Sequence, residues 1–279
     1  MIENWIITGD THGWVETRLG NIKRNVPYMP KETGVIILGD AGLNFWLGGS
    51  DKKHKKASAE YGYHIYCVRG NHEERPENLG YALEYDENVH GEVYVDDIYH
   101  NIRYFKDGGE YNIGGHSVLT IGGAYSIDKW YRLERAKISG QSFSGWFEDE
   151  QLTQEERDEI AARVKDKHYD FVFTHTTAVS WEPVDLFLNG IDQSTVDKSM
   201  EIWLDEMKNA FTWSVWCFGH YHADRIERPF VEQFYYEYEP MEDIWSRWQK
   251  YKDTGKLDWW LPKSPAMDDI LYGQQNGEC

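Results

Sequence analysis

Nowhere does this chain carry an apolar run of the roughly 20 residues that a helix needs to cross a bilayer, so a membrane partner is not expected. The first nine residues lack the basic and long apolar regions of a secretory leader. Cysteine is scarce: there are three in 279 residues, and Cys67 and Cys217 sit inside apolar runs. That count argues against a disulfide framework and for reduced, buried thiols, which makes the cytoplasm the expected compartment. Positive charge is short as well, with 29 Lys and Arg against 48 Asp and Glu and a net charge of −19. Such a field repels polyanions, so long nucleic acid is not an expected partner, although a local cationic pocket can still hold a small anion.

Aromatic residues are plentiful. A hydrophobic fraction of 41% with 13 Trp and 19 Tyr suffices for a sizeable core, and no low-complexity stretch or internal repeat interrupts it. Short apolar runs at 5–8, 35–38, 65–68, 118–121, 171–174 and 215–218 read as strands, with weaker ones at 93–95, 102–105 and 231–236. Segments 51–63, 148–164 and 196–210 have helical composition. Together they imply an α/β domain in which helices cover sheets. We expect that domain over residues 1–240, followed over 241–279 by a helix and an irregular tail packed on it through Trp245, Trp248, Trp259 and Trp260.

Five of the six main runs end directly in a polar group, and open α/β sheets collect ligands beyond the carboxyl ends of their strands. In order these groups are Gly9-Asp10-Thr11-His12-Gly13, Gly39-Asp40, Gly70-Asn71-His72-Glu73, Thr174-His175 and Gly219-His220-Tyr221-His222. An isolated Asp-x-His or His-x-His is a common accident, but five such fragments each following a strand are not. Carboxylate, imidazole and amide oxygen together suit hard or borderline divalent ions, and no cysteine belongs to the set. Glycine flanks every group except His175, where the expected role is a sharp backbone turn.

With these fragments in view, the chain over roughly residues 5 to 235 resembles the calcineurin-like metallophosphoesterase family, bacterial and phage type. The resemblance implies two facing β-sheets flanked by helices, an α/β/β/α sandwich, with a two-metal centre between them. It further implies that Asp10, His12 and His222 hold one metal, that Asn71, His175 and His220 hold the other, and that Asp40 bridges both. His72 would donate a proton to the leaving oxygen. Two divalent cations against two carboxylates leave about two positive charges facing substrate, which a phosphate complements. Such a pair activates a water for attack on phosphorus, so no phosphoenzyme is required. Mn, Fe, Zn or Ni are expected before Mg.

The fragment from Val68 to Glu73 is similar to the serine/threonine protein phosphatase branch, yet Asp40 is followed by Ala41-Gly42-Leu43-Asn44 rather than by that branch's Asp and Arg. A small phosphorylated substrate such as a nucleotide is therefore expected ahead of a phosphoprotein. Asn44, Tyr125, Lys129 and Arg132 are candidate substrate contacts, the last three in a segment, 121–132, that also reads as a surface loop. His54 and His64, on or near a lysine-rich helix, are expected in solvent, His90, His100, His116 and His168 have no matching partners, and Lys52, Lys53, Lys55 and Lys56 read as a solvated helix face. Alternatives to a mono- or diesterase are a non-catalytic scaffold on the same fold, or a nuclease acting on short or cyclic oligonucleotides.

Overall fold

Strand Thr33–Ile37 is buried at every position, so it has no solvent face and belongs inside a sheet covered on both sides. The computed structural model describes residues 1–187 and 192–256 and places it there. In chain order the strands are β1 (Asn4–Thr8), β2 (Thr33–Ile37), β3 (His64–Cys67), β4 (Ala82–Asp86), β5 (Gly91–Val95), β6 (Ile102–Phe105) and β7 (Gly109–Ile113). There follow β8 (His116–Ile121), β9 (His168–Thr174), β10 (Thr212–Phe218), β11 (Arg225–Arg228), β12 (Val231–Gln233) and β13 (Tyr238–Pro240). The helices are α1 (Val15–Asn25), α2 (Gly49–Ala59), α3 (Lys129–Ser139), α4 (Gln154–Val164), α5 (Ser199–Ala210) and α6 (Met241–Thr254).

Two mixed sheets result, ordered β13-β1-β2-β3-β6-β5-β4 and β11-β12-β10-β9-β8-β7. Their inner strands are parallel: β1-β2-β3-β6 in the first sheet and β8-β9-β10-β12 in the second. Side chains of alternate residues leave a strand on opposite faces. Ile7, Ile36, Leu38 and Tyr66 thus meet Phe171, Phe173, Val215 and Cys217 in a core between the sheets. Their neighbours Ile6, Val35, Ile37 and Ile65 pack outward on Val15, Leu19 and Ile22 of α1. On the far side Val172, Trp216 and Phe218 pack on Ile160 of α4 and Leu204 of α5. Each such side chain contributes about 1.5–3 kcal/mol of burial.

Helices α4 and α5 start later than composition alone suggests, at Gln154 and Ser199. Helix α4 begins at Gln154 because Thr153 and Glu156 form a capping box, which leaves residues 148–152 to run beneath the candidate site. The expected strand at 231–236 stops at Gln233, since Asp224 takes the backbone N–H groups of Tyr235, Tyr236 and Glu237 at 2.6, 2.9 and 3.0 Å. Strand β4 had no apolar signature because four of its five residues are exposed. Residues 129–132 form the first turn of α3 rather than a loop. After Pro240 a helix does form, with Trp245 and Trp248 stacked at 4.5 Å against the inter-sheet core. Trp259 and Trp260 lie outside the described residues. Among the described residues no helix is long and apolar enough to cross a membrane.

Candidate metal centre

Parallel strands point their carboxyl ends the same way, and the polar groups that follow β1, β2, β3, β9 and β10 meet at one edge of the two sheets. The first two loops are tied together: His12 N–H donates to Asp40 O at 2.7 Å and Gly13 N–H to Ala41 O at 2.8 Å. Asp10, Asp40, Asn71 and His175 are buried, while His12 and His222 reach the surface. His12 Nε2 and His222 Nε2 stand 2.9 Å apart, and Asp10 Oδ2 lies 3.9 Å from the first and 3.5 Å from the second. Deeper in, His175 Nε2 lies 3.6 Å from Asp40 Oδ1 and 2.8 Å from Asn71 Oδ1. The His220 ring packs edge-on to His175 at 5.0 Å, and the His220 backbone N–H donates to Asp10 at 3.1 Å.

Asp10, His12 and His222 form one group that could hold a metal ion, and Asp10, Asp40 and His175 form a second, the donor atoms of each within 4.8 Å of one another. Within the described residues only imidazoles lie at ion-pair distance from Asp10 and Asp40. Two buried carboxylates without a Lys or Arg partner leave anionic charge for cations to balance. Burial alone would raise the pKa of Asp40, but His72, His175 and His12 outweigh it and hold the carboxyl below its ordinary range. Burial and the adjacent His175 lower His220 to about 3, which keeps its ring neutral with a lone pair to offer. His175 Nδ1 lies 2.8 Å from Leu38 O, and a Nδ1–H donated there leaves Nε2 for the site.

Two of the flanking glycines, Gly13 and Gly39, make the expected turns, with φ of 87° and 94°. Left-handed backbone also falls on candidate ligands themselves, with φ of 45° at His12, 47° at Asp40, 68° at His220 and 54° at His222. Strain of this kind, on the order of 1–2 kcal/mol per residue, is found where a site over-determines its geometry. Gly70 and Gly219 are needed for space, since a Cβ there would sit 1.9 Å from Asp40 Oδ1 and 2.2 Å from Asp10 Oδ1.

A cavity of about 710 Å³ opens on this centre, lined by His12, Asp40, Asn71, His72, His220 and His222. His72 presents Nε2 at 3.9 Å from Asp40 Oδ2, and its ring packs near Phe45 and His12. Its Nδ1 has no hydrogen-bond partner among the described residues, so packing stands where an orienting carboxylate would be. Burial lowers its pKa against the opposing pull of Asp40.

The family model for calcineurin-like phosphoesterases matches residues 5–224. The chain belongs to the calcineurin-like phosphoesterase family. Comparison with curated proteins finds no match. Members of this family are generally phosphoesterases that bind divalent metal ions, in keeping with the Asp and His groups above. The two mixed sheets with flanking helices are the sandwich that membership implies.

Of the candidate substrate contacts, Tyr125 and Arg132 line the cavity. The Arg132 guanidinium is already engaged by Asp128 at 2.7 Å and by Gly145 O at 2.9 Å. Asn44 is buried, is not among the residues lining the cavity, and accepts from Tyr81 OH at 3.1 Å. The Lys129 ammonium lies over the Trp146 ring at 4.1 Å, and Lys129 is not among the lining residues. Lys55 is not solvated either; it is buried and paired with Asp96 at 2.8 Å. His54 pairs with Glu16 at 3.6 Å, and His116 packs on Trp245.

Among the cavity residues that sequence reasoning missed are Glu182, Lys198, Glu201 and Tyr221, with Thr176 beside them. Glu201 accepts from Thr176 Oγ1 at 2.7 Å, and burial raises its pKa to about 7. An acidic residue on the buried face of α5, beside Met200, Trp203 and Leu204, was the available signal.

Proposed function

We propose that this protein hydrolyses a small phosphate monoester or diester with two divalent metal ions, of Mn, Fe, Zn or Ni type before Mg. One observation carries the reading: donor side chains from five strand ends converge around two buried carboxylates that no Lys or Arg pairs among the described residues. Asp10, His12 and His222 would hold one ion, Asn71, His175 and His220 the other, with Asp40 between them. When bound, such a pair supplies charge neutralisation and an activated water for in-line attack on phosphorus.

The chain's own groups divide the remaining work. The buried carboxylates and their hydrogen-bonded loops fix the donors in place before substrate arrives. His72, on the cavity side of Asp40, would protonate the leaving oxygen through Nε2. The cavity volume falls within the roughly 300–1,000 Å³ typical of small-molecule sites, which suits a leaving group of nucleotide size. Its cations are internally paired, Arg132 with Asp128 and Lys198 with Glu182 at 2.7 Å each, so nothing beyond the metals calls for more anionic charge on the substrate. A small substrate in the cytoplasm, rather than a phosphoprotein or long nucleic acid, fits this balance.

Elemental analysis combined with nitrophenyl mono- and diesters and then nucleotides tests the reading. The expected result is close to two transition-metal ions per chain and hydrolysis abolished by chelation. Turnover persisting in excess chelator would refute it.

A further inference from the structure

Asn71 is the one side chain of the proposed centre whose two ends differ chemically: its oxygen can face a cation and its amide nitrogen cannot. Something must fix which end points inward. Asn71 Nδ2 donates to Ser126 Oγ at 2.8 Å, Ser126 Oγ donates to Glu150 Oε2 at 2.5 Å, and Ser126 N–H donates to Glu150 Oε1 at 3.0 Å. All three residues are at least 97% buried; Asn71 and Ser126 edge the cavity, and Glu150 is not among its lining residues. Glu150 is itself anchored, its carbonyl accepting from Arg69 Nη1 at 2.8 Å, while Arg69 Nε is paired with Asp107 at 2.8 Å.

Polarity runs one way along this chain. A backbone N–H can only donate, so it claims Oε1, and the hydroxyl proton goes to Oε2. Only lone pairs of Ser126 Oγ then remain toward Asn71, and they accept the NH₂ end alone. The amide oxygen is left at 2.8 Å from His175 Nε2, on the metal side.

We propose that Ser126 and Glu150 are positioning residues that hold the Asn71 amide with its oxygen toward the second metal, an inference that rests on the two-metal reading above. Partners of metal ligands commonly contribute ten- to a hundred-fold in metal affinity. Titration of chelator-treated full-length protein with Mn²⁺ alone, followed calorimetrically, tests the relay without recourse to turnover. Ser126→Ala is expected to weaken the second Mn²⁺ equivalent by about ten- to a hundred-fold and leave the first unchanged. In an Asn71→Asp background the same substitution should cost little, because a carboxylate presents oxygen whichever way it turns.

Glu150→Gln removes no volume yet turns an N–H₂ toward the hydroxyl, and it should weaken the same equivalent. It therefore carries the test if Ser126→Ala fails to fold. Undiminished binding of both equivalents by Ser126→Ala or Glu150→Gln overturns the relay alone. So does an equal loss in the wild-type and Asn71→Asp backgrounds, since that marks a packing role. A wild-type protein that takes up no second Mn²⁺ overturns the relay and the two-metal reading together.

Discussion

Adding one methyl group at Gly70 should disable the site more than many losses of whole side chains. A Cβ there would lie 1.9 Å from Asp40 Oδ1, 2.2 Å from Asp40 N and 2.8 Å from Asp40 Cα, where ordinary contact begins near 3.4 Å. About 1.5 Å of separation must be made up, and two of the three obstacles are backbone atoms that cannot rotate away. Overpacking of this kind costs about 1–3 kcal/mol. If Asp40 retreats, the His72 N–H to Asp40 Oδ1 bond of 2.8 Å is lost as well, for roughly another 1.5–3 kcal/mol. The sum, about 2.5–6 kcal/mol, should lower the melting temperature by on the order of 10 °C for a chain of this size. Displacing the proposed bridging carboxylate by about an ångström should cost at least ~100-fold in rate. Gly49→Ala is the control, because a Cβ at the start of α2 meets nothing within 4 Å. Thermal melts, metal content and nitrophenyl phosphate hydrolysis on both variants decide the matter. Wild-type melting and turnover in Gly70→Ala would refute the reasoning.

Three further outcomes follow from the same geometry. His72→Ala should retain metal while losing about a hundred- to ten-thousand-fold in turnover on nucleotides and less on nitrophenyl esters, whose leaving group needs little protonation; equal losses would argue against proton donation. Asp40→Asn should abolish activity and reduce metal content together, and full metal occupancy with near-normal turnover would move the bridge elsewhere. Glu201 holds its proton up to about pH 7 when folded against an ordinary value of 4.5, so its contribution is fully present below 4.5 and is lost as pH rises through 7. That loss is on the order of 3 kcal/mol, and Glu201→Gln, which cannot ionise, should melt higher than wild type at pH 8 but not at pH 4. Equal shifts at both pH values would count against a buried, titrating Glu201.

The order of strand and donor was legible in the sequence because it is a local property: an apolar run of four or five residues followed at once by Asp, Asn or His needs no knowledge of the partner strand. Asp10, His12, Asp40, Asn71, His72, His175, His220 and His222 could be named on that basis, and so could the layered α/β class. Elements without an apolar signature escaped, as did the exact start of α4, which a capping box sets. Tertiary structure alone decided what each polar side chain faces. Asn44 and Lys55 went inward to Tyr81 and Asp96, Lys129 folded over Trp146, and Glu150, from a segment read as helix, came to lie behind Asn71 through Ser126. Those contacts join residues far apart in the chain, and a side chain's direction depends on the packing of both, which no local pattern of residue types encodes.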